Sequence, residues 1–348
     1  MNSSLRPKFR QIAERWKARV VPGALILVYH RVAELTSDPQ LLAVKSRHFA
    51  EQLEVLKREY CPMSLGAFHN AAMARKVPKR SVVVTIDDGY ADSLHAAKPL
   101  LERFDLPATV FVATGSVGSW REFWWDDLER ILFRTELLPE ELCLCVGAAT
   151  WRFNLGSAAH YGRDQFERDL QWHVEMESDP SERHVVYRAL LRQLRPLPHQ
   201  ERRRLLDQIV SWAQAASEGR STHRALQADE LVALGKGGLI DIGAHTVTHP
   251  LLAALPIEEQ RKEIAESKRN LEEVTGVKVS HFAYPFGGRG DFTEETQAMV
   301  EAAGFSNGCA NYPGIVWSGR NRYRWPRNLV RDWNGDEFSR RLMEWSGG

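Results

Sequence analysis

The run Val82-Val83-Val84-Thr85-Ile86, which ends in Asp87-Asp88-Gly89, constrains this chain more than any other stretch. An unbroken apolar, β-branched run reads as a strand covered on both faces, the pattern of a parallel sheet. That strand delivers two adjacent carboxylates to its end. Neighbouring Asp side chains repel one another unless a cation lies between or beside them.

Similar short runs recur at Ala24–Tyr29, Ala108–Val112, Leu239–Gly243, Ser280–Tyr284 and Phe305–Cys309. Helical patterns alternate with them over Phe49–Arg58, Asp92–Arg103, Ile257–Thr275 and Thr293–Ala303. Pro256, and Asp291 with Thr293, stand where the last two helices should open, and Gly276 and Gly304 where they should end. Repeated β-α units make this an α/β chain with a parallel sheet, open or closed into a barrel. In either form functional residues collect at the carboxyl ends of the strands.

Residues 120–225 break the rhythm. A helix over Asp126–Phe133 follows Trp120, Trp124 and Trp125. A hairpin pairs Leu142–Val146 with Thr150–Leu155, and charged helical stretches cover Asp164–Glu177 and Ser181–Ala216. This segment is expected to be an insertion placed over the strand ends, since it follows Ala108–Val112, so that 1–348 form one barrel domain. Cys143 and Cys145 alternate with Leu142 and Leu144, which makes them same-face strand residues, reduced and packed.

A net charge of +1 argues against nucleic acid as a partner. Residues 1–20 are basic and lack the apolar core of a secretory signal; the run after them is broken by Pro22 and Gly23 and is far short of a membrane span. A cytoplasmic location is expected. Residues 5–20 read either as a basic amphipathic helix on the inner face of the membrane or as a solvated helix covering one end of the barrel.

The second informative stretch is Ile240-Asp241-Ile242-Gly243-Ala244-His245-Thr246-Val247-Thr248-His249-Pro250. If the segment after the strand turns helically, His245 and His249 face the same way and can share one cation. Two imidazoles and one carboxylate from the Asp87-Asp88 pair suit Zn²⁺, and also Fe²⁺, Co²⁺ or Ni²⁺. One Asp then binds the cation while the other stays free as a base toward water. Thr246 and Asp241 are expected to hold the histidine loop, and His95 and His281 to be structural.

Taken in order, Thr-Ile-Asp-Asp-Gly, His-Thr-Val-Thr-His-Pro and Phe-Ala-Tyr-Pro-Phe-Gly resemble the motifs of the polysaccharide deacetylases, the NodB-homology esterases, over residues 24–115 and 235–330. The resemblance implies a distorted (β/α)₇ barrel, here with a mostly helical insertion. It implies removal of an acyl group, usually acetyl, from an N-acylated sugar. It also implies Asp87 as general base and Asp88, His245 and His249 as metal ligands, with the backbone N–H of Phe286 at the oxyanion.

Two departures from the family pattern matter. Ala283 stands where many members have the Arg that pairs with the catalytic Asp, and Arg327, before a short strand, is the expected substitute. Residues 305–348 contain no histidine, so the family's usual Leu-x-His acid is absent. His30, ending the strand that includes Leu27-Val28-Tyr29, is expected as the acid, because barrel closure places the first strand beside the last. It should face the pocket within about 7 Å of the metal without binding it, leaving room for substrate. On the substrate side stand Tyr90, Tyr284, Pro285, Phe286 and Arg327. Trp124 and Trp125 are read either as platforms for a sugar ring or nucleobase or as insertion core.

The expected activity is metal-dependent N-deacetylation of a sugar, on a nucleotide-linked or lipid-linked glycan precursor. The alternatives are a deformylase or deacylase of another N-acyl group, and a catalytically silent glycan-binding barrel.

Overall fold

The structure, a computed structural model, describes residues 23–347. The basic segment 1–20, and with it the expected membrane contact, lies outside the described residues. Among these, no helix is long and apolar enough to cross a membrane.

Seven parallel strands form the core: β1 (Gly23–Tyr29), β2 (Ser81–Ile86), β3 (Ala108–Val112), β4 (Ile240–Ala244), β5 (His281–Ala283), β6 (Asn307–Cys309) and β7 (Asn328–Leu329). Their order is β6-β5-β4-β3-β2-β1-β7. Every residue of β2 and β3 is buried, as expected of strands covered on both faces. The sheet curls until its edges approach: Leu27 and Val28 of β1 pair with Asn328 and Leu329, and Trp325, just before β7, bridges to Cys309 of β6. Arg327, just before β7, therefore stands level with Ile26 inside β1, while His30 follows the carboxyl end of β1.

The helix Ile257–Thr275 ends at Gly276, whose φ of +69° is the left-handed conformation that closes a helix. The stretch expected as one helix from Asp92 instead opens with a π turn, Ser93–Ala97, before Lys98–Phe104. Pro99 lacks the N–H that an α-turn would need there.

The insertion carries its own core, built from Phe123, Trp124, Trp125, Leu128, Ile131 and Tyr187 among others, and it continues into Tyr90 and Ala113 at the ends of β2 and β3. The hairpin Glu141–Val146/Ala149–Asn154 turns Leu142 and Leu144 inward, which leaves Cys143 and Cys145 exposed. They are unbridged but not packed, contrary to the sequence expectation, because the leucines took the inner face of the alternation. The long charged stretch splits into Glu182–Leu194 and His199–Trp212, with Pro196 and Pro198 between, and the earlier one keeps only Arg163–Asp169 as helix.

Arg183 ties the insertion together. Fully buried, it donates to five carbonyls, those of Leu132, Thr135, Glu136, Ala158 and Ala159. Arg183→Met should cost roughly 3 kcal/mol of unfolding free energy in a denaturant titration, since it strands buried acceptors.

Candidate active site

At the carboxyl end of β2, Asp87 receives both arms of Arg327, Nη1 to Oδ1 and Nη2 to Oδ2, each at 2.6 Å. Arg327 is 1% exposed and is itself fixed by Nε on the carbonyl of Ala310 and Nη1 on Thr85 Oγ1. Burial pushes Asp87 up, but the Arg327 guanidinium, helped by His245, outweighs it and holds the carboxyl at about 2. Asp87 is thus a carboxylate throughout the neutral range.

Asp88 faces the two histidines. Its Oδ1 lies 3.5 Å from His245 Nε2 and 3.4 Å from His249 Nε2, and the three donor atoms fall within 4.8 Å of one another. Tetrahedral bonds of about 2.0–2.1 Å put neighbouring ligand atoms about 3.3–3.4 Å apart, so these separations fit one divalent cation. His245 Nδ1–H donates to the carbonyl of Ala283 at 2.8 Å, which leaves Nε2 as the lone-pair donor. Burial pulls His245 down to about 4 and His249 to about 3, so both imidazoles are neutral at neutral pH, as metal binding requires.

The backbone here is strained. Nine non-glycine residues among those described have positive φ, and four of them meet at this point: Asp88 (+73°), Thr246 (+65°), His249 (+51°) and Phe286 (+59°). Each such residue costs on the order of 1–3 kcal/mol and persists only where surroundings impose it, which is typical of functional sites. Thr246 Oγ1 donates to the His245 carbonyl and accepts from the His249 N–H, closing the loop on itself. Glu263, on the helix Ile257–Thr275, accepts from the N–H groups of Val247 and Thr248 and from the Thr248 hydroxyl. Sequence reading missed Glu263, because one more acid on a charged helix gives no signal. Asp241, expected to support this loop, lies within β4 opposite Thr109 instead.

The third motif approaches from β5. The Phe286 ring packs edge-on against His249 at 4.8 Å, and no described residue accepts from its N–H. Gly287 lets the chain turn: a Cβ there would meet the Asn311 nitrogen at 2.7 Å. Pro285 is buried, its carbonyl accepting from the Gly287 N–H.

His30 directly follows β1. It is half-buried, and its Nδ1 finds no partner among the described residues. Burial lowers its pKa, against which the charges of Asp88 and Asp87 act, so it shares their surroundings without joining the three-donor cluster.

Two expected substrate contacts, Tyr284 and Tyr90, pack inward instead, and Trp125 takes the insertion-core place that was one of its two readings. Tyr284 is fully buried, stacked on Phe292 at 3.9 Å with its hydroxyl on the Tyr323 carbonyl, so it packs rather than faces a sugar. Tyr90 is equally buried: its hydroxyl donates to Asp126 and accepts from Trp125 Nε1, and Arg31 covers its ring. Trp125 is 5% exposed and packs edge-on against His249, which makes it a wall of the histidine loop. His95 pairs with Glu230, and His281 with Asn307.

This chain carries the domain of the polysaccharide deacetylase family, whose model matches residues 74–135 and 210–308. Those segments contain Asp87, Asp88, His245, His249 and the third motif; His30 and Arg327 fall outside them. Over 132 residues the chain is 29% identical to the poly-β-1,6-N-acetyl-D-glucosamine N-deacetylase of Escherichia coli (strain K12), covering 37% of this chain and 18% of that protein. Over 109 residues it is 31% identical to the protein of the same name from Staphylococcus aureus (strain MSSA476), covering 28% of this chain and 38% of that one. The match thus spans less than two fifths of these relatives' length. Among solved structures, IcaB from Ammonifex degensii superposes with a TM-score of 0.57 at 18% identity, over 94% of this chain and 98% of that one. The Streptococcus pyogenes deacetylase PplD, in complex with acetate, gives 0.57 at 17% identity, over 93% and 99%. At such identities the likeness shows the fold: the curled parallel sheet of these deacetylases.

Proposed function

We propose that this chain is a metal-dependent sugar N-deacetylase. The observation that carries the reading is the juxtaposition of an Arg-clamped carboxylate, Asp87, with the three-donor cluster Asp88, His245 and His249. When bound there, a divalent cation supplies Lewis-acid polarisation and acidifies a water that a carboxylate as weakly basic as Asp87 cannot deprotonate alone.

Asp87 takes the proton of the attacking water as its oxygen bonds to the acyl carbon. The Phe286 N–H donates to the oxygen that gains the electron pair, a preorganised contact in a site with little bulk water. Collapse of the tetrahedral species breaks the C–N bond, and His30 protonates the departing amine; the products are acetate and the amino sugar. Neutral oligosaccharides fit the names of the curated relatives. A sugar linked through phosphate to a nucleotide or lipid is the finer reading, supported by Arg121, Arg202 and Arg203, which line a cavity beside His249.

Acetate release, measured by mass spectrometry, from short β-1,6-linked N-acetylglucosamine oligomers, nucleotide-diphosphate N-acetylhexosamines and lipid-diphosphate-linked N-acetylhexosamines tests this reading. Release from at least one class is expected; silence from all three with metal present would sink it. His30→Ala should lower kcat on amides on the order of 10²-fold, yet change hydrolysis of an activated aryl acetate far less, because that leaving group needs no proton. Equal losses on both substrates would remove His30 from the acid role.

A further inference from the structure

A cavity of about 160 Å³ lies on the insertion side of His249, which forms part of its wall; the deacetylation chemistry uses none of its other lining residues. Its lining includes Arg121, Glu122, Trp124, Arg202 and Arg203. The charges do not cancel. Glu122 is already occupied by Arg220, at 2.8 Å from Nε and 2.7 Å from Nη2. Arg121 shares the half-exposed Asp207. No carboxylate among the described residues lies within ion-pair distance of Arg202 or Arg203.

Arg202 is 2% exposed, and it donates to the carbonyls of Thr248 and His249 while lying over the Trp124 ring. Whereas Arg183 donates to five carbonyls, Arg202 has only those of Leu197, Thr248 and His249, at 3.1–3.5 Å, so its charge is less fully compensated. The cavity therefore carries surplus positive charge, which an oxyanion would balance.

We propose that this cavity is a subsite for a phosphoryl group carried by the N-acetylated sugar, with Arg121, Arg202 and Arg203 balancing its charge. Three guanidinium groups match a phosphoryl better than a single carboxylate, which would leave more of the charge uncompensated. Arg202 and Arg203 come from the segment that the family model does not match, so the insertion is what sets this preference. Sugar 1-phosphates, nucleotide-diphosphate sugars and lipid-diphosphate sugars share the recognised chemistry. The inference rests on the sugar N-deacetylase reading, and its test separates the two.

Inorganic phosphate binding to the metal-free protein is measured by calorimetry in wild type, Arg203→Lys and the double variant Arg121→Gln/Arg203→Gln. In parallel, kcat/KM for N-acetylglucosamine 1-phosphate, a nucleotide-diphosphate N-acetylglucosamine and a lipid-diphosphate N-acetylglucosamine is compared with that for a neutral oligomer. The double variant should bind phosphate about tenfold or more weakly, and its phosphorylated-to-neutral ratio of kcat/KM should fall by a similar factor. Arg203→Lys, which keeps a point charge, should lose less. The best of the three phosphorylated substrates names the source. Equal phosphate affinity in wild type and double variant overturns the subsite, as does a preference for an N-acetylated uronic acid over every phosphorylated sugar. If no sugar is deacetylated yet phosphate binding collapses in the double variant, the subsite stands and the deacetylase reading falls.

Discussion

Asp87→Asn should still fold and hold metal, though less stably because it leaves the buried Arg327 guanidinium without its counter-ion, while its kcat falls on the order of 10³-fold. The side chain keeps its shape, so the β2 end and the neighbouring Asp88 stay in place. What disappears is the negative charge that accepts the water's proton, and with it the partner of Arg327. The cationic site left behind can still bind substrate, so KM should move much less than kcat. Turnover within tenfold of wild type at full metal occupancy would show that Asp87 is not the base.

Arg327→Gln should be among the most damaging substitutions for stability, at about 3–5 kcal/mol, because it leaves a carboxylate buried at 2% exposure without its counter-ion. It also frees the Ala310 carbonyl and removes a donor to Thr85. The pair should be strongly non-additive. In the background of Asp87→Asn the same change should cost far less, since no charge remains to be orphaned. Denaturant titrations of the two single variants and the double variant close the cycle. A cost below about 1 kcal/mol for Arg327→Gln alone would mean that the clamp is not what holds the buried carboxylate.

Much of the barrel was legible because its strands are apolar runs and its helices carry end signals; Ile257–Thr275 needed nothing beyond Pro256 and Gly276. The three donors of the cluster were legible as a group because His245 and His249 share one short segment and Asp88 ends a strand of unmistakable character. The Arg327–Asp87 contact spans 240 residues, and only the position taken by Ala283 directed attention to Arg327. Other features left no local trace. Tyr284 sits in a motif yet spends its hydroxyl inside the core, because the strand direction at β5 turns it inward. Glu263 and Arg202 lie on helices crowded with charge, where a side chain that supports a loop or lines a cavity has the same local pattern as one facing water.

The most direct test of the central claim is a metal titration followed by two readouts on one sample. Protein stripped with a chelator is reloaded with Zn²⁺ or Co²⁺, with bound metal measured by elemental analysis and acetate release from an N-acetylated sugar measured by mass spectrometry. Wild type should be inactive when stripped and should recover turnover in proportion to metal up to one equivalent. The variant Asp88→Ala/His245→Ala/His249→Ala should neither retain metal nor recover activity. Stoichiometric metal in that triple variant, or full acetate release by the stripped wild-type protein, would contradict the account.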